Sequence, residues 1–191
     1  MNRKTAMKLF GLLGLLMLLS CGYADRHRNN SSCEQVLVDS LEVRVQDSLS
    51  SNVHYSRSQV LDALTQAQDS QVYYRLLALY GKTFFVSSDF DSILYYNRRV
   101  KEFFRNASQS SESLQSPQWN DVLSDVYNIE GNVWMQLNRP DSAITDYKKA
   151  YEYRLKGKKL HLLPDICINT ADAYLHRSDL AHTASYYRRA L

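Results

Sequence analysis

The sequence predicts an all-α fold built of antiparallel helix pairs. Two observations carry that prediction. Glycine and proline are scarce, 6 and 3 among 191 residues, and no long run alternates apolar with polar residues as a strand would. The stretch NRPDSAITDYKKAY, residues 138–151, has helical spacing instead: Ala143, Tyr147 and Ala150 are four and then three apart and share one face. Pro140 fits only the first turn of that helix, where its missing N–H is no loss. Asp141 suits the positive end of the helix dipole, and Asn138 can end a preceding helix in a left-handed conformation. A tight turn between two helices is therefore expected at 138–140.

Residues 1–20 read as a targeting segment. A cationic start, MNRKTAMK, precedes the apolar run LFGLLGLLMLLS, which is shorter than the roughly 20 residues a membrane span needs. Its end, Leu18-Leu19-Ser20-Cys21, resembles a bacterial lipobox. The resemblance implies cleavage before Cys21, lipid attachment to its thiol and a stable membrane anchor, since each buried CH₂ contributes about 0.8 kcal/mol. Gly22, a non-acidic residue after that cysteine, resembles the signal for the outer rather than the inner membrane. An ordinary signal peptide that happens to end in cysteine is the alternative. Arg3, Lys4 and Lys8 are the only charges in this segment. The 23 basic residues less these three match the 20 acidic ones, so the body is neutral and no nucleic-acid partner is expected.

Residues 21–33 are polar and aperiodic and read as a flexible tether. Residues 34–104 are expected to hold the N-terminal helices, beginning with two weaker helical patterns over 34–67. Serine-rich residues 105–118 read as a loop, and 119–191 return to strong helical periodicity. An export compartment permits a disulfide between Cys33 and Cys167, but an exposed thiol at Cys33 and a buried one at Cys167 is the preferred reading. No cysteine and histidine cluster has zinc-site spacing, and no cofactor is expected.

The turn motif recurs. Segments 76–100, 126–151 and 167–191 each place a small residue (Gly81, Gly131, Ala171) three before an aromatic (Phe84, Trp134, Tyr174). A second helix then begins near Asp89, Pro140 or Asp179, with Ile93, Ala143 and Thr183, then Val100, Ala150 and Ala190, at fixed offsets. Tyr147 and Tyr187 share the middle offset, where the first segment has Asn97. This pattern resembles the tetratricopeptide repeat, a helix–turn–helix unit of about 34 residues. The spacings here are longer, 50 and then 40. Glu130, where the family has a large apolar residue, and Thr183, in place of alanine, depart from the pattern.

The resemblance implies a helical solenoid whose first helices line a concave groove for a protein or peptide. Carried over, the groove positions are Arg75, Ala78, Lys82 and Phe85 in the first repeat. In the second they are Asp125, Asn128, Asn132 and Met135, and in the third Asp165, Ile168, Asp172 and Leu175. The paired amides Asn128 and Asn132 could hold a peptide backbone. No lysine and arginine cluster for gripping a terminal carboxylate is present.

Catalysis is not expected in these residues: no Gly-rich phosphate loop, HExxH or GxSxG motif occurs. Asp172 and His176, four apart, read as a solvated helix contact. The run RLKGKKLH reads as a solvated loop between units, with anionic headgroups the lesser alternative. Asp-Ser-apolar tripeptides at 39, 47, 91 and 141 resemble a bacterial O-glycosylation sequon, though helix capping accounts for two of them. The expectation is a lipid-anchored scaffold in the bacterial envelope, facing the periplasm. The rival expectation is the periplasmic sensor region of a longer histidine kinase or helix-turn-helix regulator, with the repeat array continuing past Leu191.

Overall fold

The computed structural model describes residues 35–45, 52–107 and 116–191, and among them every regular element is helical. Cys21, Cys33, the leader and the tether lie outside the described residues. Helical residues 35–45 form α1, followed by α2 (Val53–Gln66), α3 (Ser70–Lys82), α4 (Phe90–Ala107), α5 (Pro117–Gln136), α6 (Pro140–Arg154), a short 3₁₀ turn (Leu160–Leu162), α7 (Leu163–His176) and α8 (Leu180–Ala190). Both ends of the segment 105–118, read from composition as a loop, are helical. Arg105, Asn106 and Ala107 complete α4, while Pro117 and Gln118 open α5, with proline at the position where its lost N–H costs nothing.

Three tight turns are built alike. Ser88, Asn138 and Ser178 adopt left-handed φ values of 54°, 55° and 61°. In each case the next residue donates its N–H backward over five residues to the carbonyl of the repeat's aromatic: Asp89 to Phe84 (3.2 Å), Arg139 to Trp134 (2.8 Å) and Asp179 to Tyr174 (2.9 Å). This is the double-bonded helix ending that satisfies carbonyls left over at a C-terminus. Asp89 and Asp179 then cap the following helix by accepting from Ser92 and His182 N–H. A left-handed conformation suits asparagine better than serine and glycine best. Ser178→Gly should therefore raise stability by about 0.5–1 kcal/mol, read as a higher urea midpoint with an unchanged slope.

Contacts across each turn run in opposite directions along the two helices. Tyr74 stacks on Phe103 while Gly81 abuts Tyr96; Asp121 meets Arg154 while Trp134 bonds Asp146. On α7 and α8, Tyr174 stacks on His182 while Asp172, earlier on α7, meets Tyr187, later on α8. The pairs α3/α4, α5/α6 and α7/α8 are thus antiparallel. Successive pairs are sealed by shared apolar clusters, Val100 with Trp119 and Val126, then Ala143 and Tyr147 with Ala173 and Tyr174. In front of the three units, α1 and α2 pack on α3 through Val38, Leu41, Val45, Val60 and Leu76.

The two departures from the repeat pattern are accommodated differently. Thr183 is buried and bonds the Asp179 carbonyl at 2.8 Å. Glu130, only 4 % exposed, receives the ammonium of Lys101 from the preceding pair at 2.6 Å. Burial outweighs that attraction and raises the Glu130 carboxyl above its ordinary 4.5. The fold therefore holds the proton over a window above 4.5 in which the unfolded chain has released it. This group's contribution favours folding at the acid end and is lost as pH rises through the raised value. Glu130→Gln should be at least as stable as wild type near neutral pH, and the difference should shrink on acidification. Urea melts across that window check the trend; a difference that grows toward acid would mean Lys101 outweighs burial.

Candidate functional site

Helix α1 and the first helices of the three pairs, α3, α5 and α7, converge with the 158–162 segment on a cleft of about 700 Å³. Its walls carry five acidic and five basic side chains, and its floor is apolar, including Ala78, Leu79, Val122, Val126 and Ile129. That volume falls in the range of binding clefts for small ligands and short chain segments.

Six of the twelve groove positions expected from the sequence line this cleft: Arg75, Ala78, Lys82, Asp125, Asn128 and Asp165. The other six do not. Asn132 Oδ1 instead accepts from the Tyr147 hydroxyl at 2.7 Å. Asp172 accepts from the Tyr187 hydroxyl at the matching position 40 residues on, so its partner is Tyr187 and not His176. Met135 packs against the Ala143–Tyr174 cluster, and Phe85 against the Ile93 cluster beside Phe90. Ile168 and Leu175 are exposed outside the cleft. The amide pair is therefore split: Asn128 lines the cleft and accepts from Asn169 Nδ2 at 3.1 Å, while Asn132 serves its own hairpin.

The cleft's charges are wired to one another. Arg75 is buried and pairs with Asp39 at 2.6 Å and Glu42 at 3.0 Å, both on α1, and also donates to Gln35. Glu42 in turn receives Lys159 at 3.0 Å, a link between residues 117 apart in sequence. On the opposite wall Arg154, 1 % exposed, pairs with Asp121 at 2.8 Å and with Asp125. Asp121 also accepts the main-chain N–H groups of Lys158 (2.9 Å) and Lys159 (3.1 Å). The run RLKGKKLH is thus not merely a solvated loop. Its backbone wraps a buried carboxylate, and Gly157 lets it do so, because a Cβ there would lie 2.7 Å from Asp121 Cγ.

Burial of Lys159 opposes its charge, yet Glu42, Asp125 and Asp121 together raise its pKa, so it stays an ammonium in the cleft. Cys167 is a buried free thiol whose pKa burial raises, which suits a packing role better than a nucleophile. Among the described residues no group of histidine, cysteine and carboxylate side chains could hold a metal ion.

Sequence reasoning missed Arg154, Asp121, Lys159, Glu42 and Asn97. The one signal that could have drawn attention is the i, i+4 carboxylate pair Asp121 and Asp125 near the start of a helix of neutral surroundings. Its cation lies 33 residues away from Asp121. No protein-family model matches the chain, and no curated protein shows significant sequence similarity to it.

Proposed function

We propose that the chain is a tetratricopeptide-type scaffold that holds a protein or peptide partner in the cleft between its first helices. The observation that carries this reading is the convergence of α1, α3, α5 and α7 on one concave site that gathers Arg75, Lys82, Asp125, Asn128 and Asp165. Three hairpins with the same left-handed turn support the repeat assignment. The lipobox-like end at Cys21 supports an anchor in the bacterial envelope, with the scaffold facing the periplasm and the outer membrane favoured by Gly22. No helix among the described residues is long and apolar enough to cross a membrane. The role is binding, with no catalysis and no nucleic acid in these residues.

Photocrosslinking in cells tests the site. A photoreactive residue at exposed Asp165, on the rim, should capture a discrete partner identifiable by mass spectrometry, whereas one at Lys149, outside the cleft, should not. Equal capture at both positions would defeat the reading. The anchor is tested separately: Cys21→Ala should accumulate as an unprocessed precursor, and wild type should partition into detergent. Wild-type protein released by osmotic shock would refute the anchor.

The sensor-region reading draws on one observation. Tyr147 is 2 % exposed beneath α7, whereas its counterpart Tyr187 on α8 is 38 % exposed, and Leu180 and Ala184 beside it are also open. That face of α8 has the register to receive another helix. Whether the reading frame runs on past Leu191 into a transmembrane segment decides between the two readings.

A further inference from the structure

Three buried side chains of the cleft have polar atoms with no partner among the described residues: Arg75 Nε, Arg154 Nε and Asn97 Oδ1. None of the three residues is more than 5 % exposed. Buried donors and acceptors are nearly always satisfied, so three orphans around one cleft mark it as a place where something else completes the bonding. Their chemistry is specific. Two are N–H donors and one is a carbonyl acceptor, and Asn128 Nδ2 on the same wall adds further N–H donors beside its engaged oxygen.

The surrounding charges decide what kind of acceptor the two arginines can take. The terminal nitrogens of each guanidinium are already engaged, with Asp39, Glu42 and the Gln35 amide for Arg75 and with Asp121 and Asp125 for Arg154. Around Arg154 the charges cancel, since Asp121 and Asp125 face both Arg154 and Lys159. With no cation left over, a ligand carboxylate or phosphate at its Nε gains no net attraction, and a neutral carbonyl oxygen suffices as acceptor. The cleft walls as a whole are balanced, five acidic against five basic, which leaves no net field to select a charged ligand. The apolar floor favours small aliphatic side chains.

Resting on the groove reading above, we infer that the cleft binds a neutral, internal stretch of extended peptide by its main chain, with Arg75 and Arg154 Nε–H donating to peptide carbonyls and Asn97 Oδ1 accepting a peptide N–H. Recognition of this kind needs no free terminus and no charged side chain on the partner. It differs from capture of a terminal carboxylate, which requires unpaired cations.

The test uses the ¹⁵N-labelled full chain in detergent and follows the arginine Nε–H resonances, assigned by through-bond spectra. The probe is a mixture of pentapeptides randomised over Gly, Ala, Val, Ser and Thr, acetylated and amidated at the ends. The expected result is a saturable shift of the Arg75 and Arg154 Nε–H signals. Its midpoint should change less than about twofold between low and high salt, because buried neutral contacts are little screened. Asn128→Leu should weaken binding by about tenfold and lower the thermal melt no more than Asn169→Leu, which breaks the same bond between units from outside the cleft. If the capped mixture leaves both signals in place while the same peptides with free carboxylates or added Asp or Lys shift them, the peptide groove stands and neutral recognition is overturned. If no peptide set moves them, yet crosslinking at Asp165 captures a partner, the inference is again overturned and the groove reading survives. Failure of both the titrations and the crosslinking overturns the groove reading itself.

Discussion

Gly131→Ala should lower the stability of the fold by about 3 kcal/mol, although alanine is the better helix former by about 1 kcal/mol. A Cβ at this position would stand 2.5 Å from Cδ1 and 2.9 Å from Cζ of Tyr147. The ring has nowhere to retreat. It is 2 % exposed, packed with Ala143, Ala173 and Tyr174, and its hydroxyl is tied to Asn132. The loss should be absent at Gly81, the matching residue of the first unit. There the nearest atom to an added Cβ is Tyr96 Cβ at 3.1 Å, because buried Asn97 occupies the aromatic's place. Gly81→Ala should be close to neutral, its gain in helix propensity offsetting a small shift. Thermal melts of the two variants side by side make the comparison. Equal losses at both positions would mean that backbone flexibility, not contact with Tyr147, is what glycine provides.

Arg154→Ala should cost about 3–5 kcal/mol, the usual consequence of leaving a buried carboxylate without its cation. Asp121 is the charge left behind, 4 % exposed and wrapped by the Lys158 and Lys159 N–H groups. Those two donors retain part of its solvation, so the fold should be weakened and not abolished. Asp125→Asn should cost far less, because Asp125 is 41 % exposed and water replaces its partner. The Arg154→Ala loss should also persist at high salt, since buried pairs are poorly screened. Urea titrations at low and high ionic strength separate the cases. A loss at Arg154 that salt erases would place this pair at the surface and remove it from the cleft wall.

Both effects bear on how much of the molecule can be read from its residues. Gly131 was legible as the small residue of a repeated hairpin, as were Ala143, Tyr147 and Ala150 on one face, because helical periodicity places them within two turns of each other. The left-handed Asn138 and the proline start of α6 were legible for the same local reason. The outer groove positions were not. The stripe that holds Asp125 also holds Asn132 and Met135 only if the helix faces the cleft along its whole length. Rotation is not what removes Asn132, which lies only about 20° around the helix from Asp125, nearer than cleft-lining Asn128 at about 60°; seven residues carry it about 10 Å further along the axis, past the end of the cleft. There Asn132 meets Tyr147 of its own hairpin, and Met135 meets the core between units.

What the sequence determined by itself is the list of helices, the turns that join them and the spots where only a small side chain fits. Each of these depends on residues within one helix or one hairpin, where chain geometry alone fixes who meets whom. Tertiary structure alone decided the wiring of the cleft. Arg154 finds Asp121 across 33 residues, Arg75 finds Asp39 across 36, and Lys159 finds Glu42 across 117. Those distances depend on how each helix pair is rotated against the next, and that rotation is set by the packing of Trp119, Ile129, Tyr147 and Tyr174 between units. Charge pattern says how many cations and carboxylates there are to pair; only the stacking of the units brings a given cation within 3 Å of a given carboxylate and leaves its Nε–H without a partner among the described residues.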